Sequence, residues 1–138
     1  MPTATRIYET VLYSDDLEAT ATFYTEGLGL RLLSQSELML VLGIGENYLL
    51  VFDPKKSAAA GRLVPSHGAI GAGHVAVVSE EADLPAWRER LAAADIEIEA
   101  EVDWSDGQRG RSIYVRDPAG NSVELAPPIL WSSLEQSE

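Results

Sequence analysis

One pattern occurs twice along this chain, and any fold must honour both copies. Tyr8-Glu9-Thr10-Val11-Leu12-Tyr13 leads through an acidic turn into Leu17-Glu18-Ala19-Thr20-Ala21-Thr22-Phe23-Tyr24. Gly73-His74-Val75-Ala76-Val77-Val78 leads through another into Leu84-Pro85-Ala86-Trp87-Arg88-Glu89-Arg90-Leu91. Each copy runs on through strand-like stretches to a similar ending, Tyr48-Leu49-Leu50-Val51-Phe52-Asp53-Pro54 and Asn121-Ser122-Val123-Glu124-Leu125-Ala126-Pro127. Two half-sized copies within 138 residues predict a single domain built from two similar modules around one core.

Local signals predict strand, helix and then several strands in each copy. Asp15 and Glu18 are spaced as a capping box, and Leu17, Ala21, Tyr24 and Leu28 recur at helical spacing before Gly27 and Gly29 end the helix. In the second copy Asp83 is the expected cap, Pro85 fits the first turn, and Leu84, Trp87 and Leu91 form one apolar stripe. Asp95 is placed to take a left-handed turn where that helix stops. Ile96, Ile98, Ala100, Val102 and Trp104 alternate with Glu97, Glu99, Glu101 and Asp103, which predicts a strand with one buried and one acidic face. Asp117-Pro118-Ala119-Gly120-Asn121 is a turn between two antiparallel strands, and Gly43-Ile44-Gly45 reads as a hairpin turn rather than a dinucleotide fingerprint.

Composition removes several classes of function. With no cysteine, the chain has no disulfide, iron–sulfur cluster, thiolate zinc site or cysteine nucleophile. Its net charge of −12, with only Arg109, Arg111 and Arg116 crowded together, argues against nucleic acid as a partner. Ten carboxylates between Glu80 and Asp106 face only Arg88 and Arg90, the pattern of a solvated face or of an attractor for a cationic ligand. No apolar stretch approaches the roughly 20 residues of a membrane span, and Met1-Pro2-Thr3-Ala4-Thr5-Arg6 has no signal-peptide core. A cytoplasmic location without membrane attachment is expected.

The residues now assembled resemble the vicinal oxygen chelate superfamily, which includes glyoxalase I, extradiol dioxygenases, and the fosfomycin- and bleomycin-resistance proteins. The resemblance rests on Asp16-Leu17-Glu18-Ala19 leading to Phe23-Tyr24 and Gly27-Leu28-Gly29-Leu30, on Gly73-His74-Val75-Ala76, and above all on Tyr114-Val115-Arg116-Asp117-Pro118-Ala119-Gly120-Asn121-Ser122-Val123-Glu124-Leu125. It implies an α+β fold of paired βαβββ modules, forming curved mixed sheets around a cleft. The modules would be residues 6–54 and 72–127, with a linker loop at 55–71 and a tail at 128–138. The fold does not select an activity, because it hosts several chemistries and also binders without chemistry.

In metal-binding relatives the ligand positions fall here on Glu9, His74 and Glu124, while a fourth falls on Leu50 or Val51 and cannot ligate. Alternation independently groups Glu9 with Ile7 and Val11, a poor home for an unpaired carboxylate. Three arrangements fit the trio: a divalent cation held by one imidazole and two carboxylates, a metal-free cluster in which His74 bridges Glu9 and Glu124, or side chains directed into solvent. The first is carried forward, with Mn, Fe, Co, Ni or Zn as the candidate ion. Glu9 in place of a first histidine departs from the extradiol dioxygenases, and the missing fourth carboxylate departs from glyoxalase I.

Glu124 and His67 are the catalytic candidates. Histidine is the side chain most often used as an acid or base, and His67 sits in the loop before His74, where the plainer reading is an exposed loop histidine. Phe52, Arg109, Arg111 and Tyr114 are candidate substrate-pocket residues; the alternatives are core packing for Phe52 and Tyr114, and pairing with Asp103 or Asp106 for the arginines. The resulting expectation is a metal-dependent enzyme, a lyase or isomerase or a ring-cleaving dioxygenase, acting on a small vicinally oxygenated substrate. The alternative is a metal-free binder of the bleomycin-resistance type, favoured by the negative charge and by Trp104 and Trp131 as cation-attracting rings. The apolar tail Pro127-Pro128-Ile129-Leu130-Trp131 either folds back on its own module or covers a partner, and a homodimer is expected.

Overall fold

The computed structural model describes residues 1–136, so the last two residues of the expected tail lie outside the described part. The chain divides into two units, Met1–Gly71 and a second from Ala72 onward.

The first unit begins with β1 (Glu9–Tyr13) and α1 (Leu17–Thr22), which passes into a π-helical turn at Phe23–Gly27. Asp16 caps α1, one residue later than the expected box: its carboxylate accepts the Ala19 N–H at 3.0 Å. The Ser14 hydroxyl accepts the Asp16 N–H at 3.1 Å and so takes the part foreseen for Glu18. Three strands follow, β2 (Arg31–Gln35), β3 (Met39–Ile44) and β4 (Asn47–Phe52), and then the short α2 (Pro54–Ser57) capped by Asp53. The β3–β4 turn starts later than Gly43, which still pairs with Tyr48; Gly45, at φ 55°, makes the bend. The sheet order is β1-β4-β3-β2, with β1 and β4 parallel. Its register sends Leu12, Leu40, Leu42, Leu49 and Val51 to one face, all buried, as are Ala21, Tyr24 and Leu28 of the helical segment and its end. Glu9, Tyr13, Leu50 and Phe52 lie on the other face.

The second unit repeats the plan: β5 (His74–Val78), a 3-10 turn (Glu81–Asp83), α3 (Leu84–Ala93), β6 (Ile98–Asp103), β7 (Arg111–Arg116) and β8 (Ser122–Ala126), in the order β5-β8-β7-β6. Neither sheet closes into a barrel. Asp95 takes the left-handed conformation at φ 59°. Asp83, the expected cap, makes no side-chain capping bond, because the 3-10 turn leads directly into α3. Ile113, Val115, Val123 and Leu125 form a fully buried face, with Leu84 and Leu91 of α3 buried as well.

β6 departs from the expected half-buried strand. A register shift between Ile98 and Ala100 puts Ile98 opposite Val115 and Ala100 opposite Tyr114, so the two no longer share a face. Ala100 is exposed, and Ile98 and Val102 are only half-buried. The acidic side chains are not simply solvated: Glu99 pairs with Arg116, Glu101 with Arg88, and Asp103 with Arg111.

Beyond β8, α4 (Ile129–Ser132) and a 3-10 turn fold back on the second unit. Leu130 is 2% exposed, and the Arg109 guanidinium donates to the Leu130 carbonyl and to Ser133 Oγ. Among the described residues no helix is long and apolar enough to cross a membrane.

Candidate functional site

The turn before β8 builds the site. Asp117 accepts hydrogen bonds from the backbone N–H groups of Ala119 and Asn121 and from the Asn121 amide. That fixes Asn121, whose Oδ1 accepts the Gly73 N–H at 2.7 Å, and Ser122 N–H donates to the Gly73 carbonyl. β5 is thereby registered on β8, with His74 beside Ser122 and Ala76 beside Glu124. Tyr114 stands opposite Glu124 on β7, so His74, Glu124, Tyr114 and Ser112 share the face opposite the apolar one.

His74 is held from both sides. Its Nδ1 lies 3.1 Å from the Ser122 carbonyl oxygen, which only accepts, so the ring proton sits on Nδ1. Its Nε2 lies 3.2 Å from Glu124 Oε1. A neutral ring then presents a lone pair to a carboxylate oxygen, and two acceptors at that distance require a proton or a metal ion between them. Two neighbouring ligands each about 2.1 Å from an ion stand roughly 3.0–3.4 Å apart, so the pair fits a metal. Glu124 is 6% exposed, and its Oε2 accepts from Ser112 Oγ at 2.6 Å. Ser112 Oγ in turn accepts the Trp104 indole N–H at 2.8 Å. The Tyr114 ring stacks on His74 at 6.4 Å, and burial, followed by the Glu124 charge and a hydrogen bond to it, raises its phenol above the usual tyrosine range.

By register, Glu9 occupies in the first unit the place of His74 in the second, and Leu50 that of Glu124. Glu9 is exposed, contrary to the burial expected from its apolar run, because β1 is an edge strand and Glu9 lies at its beginning. Within neither unit do three His, Asp or Glu side chains among the described residues gather into a group able to hold a metal.

The first unit has a different cluster on the Glu9 face. His67 Nδ1 lies 2.7 Å from the Tyr13 hydroxyl, its ring meets Phe52 edge-on at 4.6 Å, and its backbone N–H donates to the Ser57 carbonyl. Arg62 lies over Phe52 at 5.8 Å and donates to the same carbonyl. His67 is therefore a seated side chain rather than an exposed loop histidine. Tyr13 was missed, although alternation along β1 puts it on the face of Glu9.

Arg111 makes a two-point contact with Asp103, and Arg109 is committed to Leu130, Ser133 and the Trp131 ring, 5.7 Å away. Of the two readings given for these arginines, substrate contact or pairing with a carboxylate, Arg111 shows the pairing with Asp103, and Arg109 is tied to the tail. Ser112 and Trp104 were not singled out as partners of Glu124. The available signal was the alternation of Ser112 and Tyr114 with Ile113 and Val115.

Two four-stranded mixed sheets, each of βαβββ form and each with chemistry on the face away from its apolar layer, define the paired-module α+β class. The family model described as Glyoxalase/Bleomycin resistance protein/Dioxygenase superfamily matches residues 6–125, and the chain belongs to that superfamily. A solved lactoylglutathione lyase from Agrobacterium tumefaciens is 36% identical, with 94% of this chain and 98% of that one covered at a TM-score of 0.87. A glyoxalase/bleomycin resistance protein/dioxygenase from Nocardioides is 26% identical, covering 91% and 84% at 0.71. A fosfomycin resistance protein from Listeria monocytogenes, complexed with Mn(II), shares the fold at 19% identity, covering 98% of both chains at 0.71. Comparison with curated protein sequences gives no match.

Proposed function

We propose that this chain is a metal-dependent enzyme acting on a small molecule with adjacent oxygen atoms, in the manner of a lyase or isomerase. His74 and Glu124 are the ligand pair. The observation that carries the reading is the approach of His74 Nε2 to Glu124 Oε1 at 3.2 Å, with the ring proton already engaged by Ser122. A divalent ion such as Mn, Fe, Co, Ni or Zn would supply charge for binding and polarising paired substrate oxygens. Glu124, buried and bonded at Oε2 by Ser112, keeps its carboxylate oriented with Oε1 toward His74, where it would hold the ion.

His67 is the proton-handling candidate, its ring oriented by Tyr13 and Phe52. The lyase or isomerase reading is preferred to ring cleavage because Glu9 replaces a histidine and because the 36% identical structure is named a lactoylglutathione lyase. The metal-free binding alternative is placed second on the following contacts. Trp104 is bonded to Ser112, Trp131 lies under Arg109, and three residues of the acidic strand are paired with arginines.

Assays of the metal-stripped chain on glutathione with methylglyoxal and on a catechol, with and without each divalent ion, test the reading. Metal-restored formation of the thioester from glutathione and methylglyoxal, the downhill direction of the same interconversion, abolished by Glu124→Gln, is expected; turnover of the catechol alone would move the reading to dioxygenation, and no metal-dependent turnover of either would remove its support. Pairing of two copies is proposed as well, since Ile129, Trp131 and Leu134 stay exposed on the folded-back tail, and light scattering across dilution tests it.

A further inference from the structure

We propose that Trp104 and Ser112 are positioning residues for Glu124, a one-way hydrogen-bond relay that holds Oε2 as an acceptor and leaves Oε1 facing His74. This inference rests on the functional reading of His74 and Glu124 given above. Its direction follows from the inventory of donors. An indole N–H only donates, and here it donates to Ser112 Oγ at 2.8 Å. A serine hydroxyl has one proton, and Ser112 directs it to Glu124 Oε2 at 2.6 Å, the short distance of a bond to a charged acceptor. Reversal is not available, because nothing can be donated to the indole nitrogen. Ser112 is fully buried and Glu124 nearly so, which limits competition from water. One carboxylate oxygen is thus fixed, and rotation that would carry Oε1 away from His74 breaks the bond to Ser112.

The loop that carries Trp104 is shaped around this task. Between β6 and β7, four residues take left-handed conformations: Ser105 at φ 52°, Asp106 at 54°, Gly107 at 84° and Gly110 at 84°. Two of these are not glycine, a local cost that must be met by the surrounding contacts. The Trp104 backbone is tied at both ends of its peptide, donating to Gly110 O at 2.9 Å and accepting from Gly107 and Arg109 at 3.1 Å each. At Gly110 a Cβ would lie 2.5 Å from the Pro127 Cβ, so only glycine lets the loop close against the segment after β8. The effect is to bring the indole of the last residue before the turn back over β7, eight residues before its partner Ser112 in the chain.

The test uses the full chain with its tryptophans and histidines labelled with nitrogen-15, giving one indole N–H resonance for each of its three tryptophans and ring signals for its two histidines. Trp104→Phe assigns the Trp104 signal. Without metal, Ser112→Ala is expected to move both the Trp104 indole and the His74 ring resonances, and Ser112→Thr, which keeps the hydroxyl, to return them. On adding Zn²⁺, the Trp104 indole is expected to shift while those of Trp87 and Trp131 stay in place. Loss of the serine hydroxyl is expected to weaken Zn²⁺ binding roughly 10–100-fold, the range for removing a ligand's supporting partner. Trp104→Phe, which retains the serine, is expected to weaken it in the same direction by less.

If both variants remain folded and His74 resonances and Zn²⁺ affinity are unchanged, the relay does not position Glu124. If the wild-type chain takes up no divalent ion while the metal-free shifts and their rescue by threonine are seen, the relay stands and the metal reading falls. If Ser112→Ala fails to fold, the Trp104→Phe comparison decides by the same two readouts.

Discussion

The side-chain oxygen of Asn121 accepts the Gly73 N–H at 2.7 Å, immediately before His74. A turn residue thus registers the first strand of its unit on the last, and the histidine inherits its position from that bond. Asn121 is 2% exposed, so Asn121→Ala leaves the Gly73 donor without its partner. A loss of about 1–3 kcal/mol in urea unfolding is expected, together with displacement of the His74 ring resonances. An unchanged His74 spectrum in a folded variant would show that the turn does not place the histidine.

The acidic strand sets a pH dependence. Hydrogen bonds from Arg116, Arg88 and Arg111 hold Glu99, Glu101 and Asp103, respectively, below the usual carboxylate range. Unfolded, these groups bind protons at their ordinary values, about 4; folded, they stay ionised to lower pH. Their contribution is therefore complete above that range and is lost as pH falls through the folded values. The urea midpoint is expected to drop between about pH 5 and pH 3, less steeply in a chain carrying Glu99→Gln, Glu101→Gln and Asp103→Asn. Identical slopes for the two chains would refute the assignment. Added salt is expected to weaken the effect, since the pairs are exposed.

Tyr13 and His67 join the loop after α2 to the first sheet. Removing the hydroxyl with Tyr13→Phe is expected to cost about 0.5–1.5 kcal/mol and to move the His67 ring resonances. A double-mutant cycle with His67→Ala should return a coupling of about 0.5 kcal/mol or more. Strict additivity would mean that the 2.7 Å contact carries no energy.

Leu130 anchors the tail in its own unit, and Leu130→Ala is expected to cost about 2–5 kcal/mol, as for other buried leucines. Arg109→Ala should lower stability in the same direction by releasing the Leu130 carbonyl and the Trp131 ring. Unfolding curves that match the wild type for both variants would show that the tail contributes nothing to the unit that carries it.

Most of the architecture was legible because it is written as periodicity. The two copies, the Asp117 to Asn121 turn and the left-handed Asp95 all depend on local chemistry that short stretches of sequence display. β6 was misread because its register shift between Ile98 and Ala100 leaves no mark on the alternation of Ile98, Ala100 and Val102. The burial expected for Glu9 came from its apolar neighbours, whereas exposure there follows from the place of β1 at a sheet edge, a property of topology. His74 and Glu124 were found, but the Trp104 and Ser112 bonds behind Glu124 arise from a loop whose course depends on four left-handed residues. For Arg111 the pairing with Asp103 that the sequence offered as the alternative is the one formed, whereas the hold of the tail on Arg109 appears only in the packed structure.

Calorimetric titration of a divalent ion into the chelator-stripped chain tests the central claim most directly. Mn²⁺ is expected to bind at one ion per chain, and His74→Ala and Glu124→Gln are each expected to weaken it by roughly a hundredfold or more. The absence of binding by Mn²⁺, Fe²⁺, Co²⁺, Ni²⁺ and Zn²⁺, or binding that survives both substitutions, would contradict the assignment of His74 and Glu124 as the ligand pair.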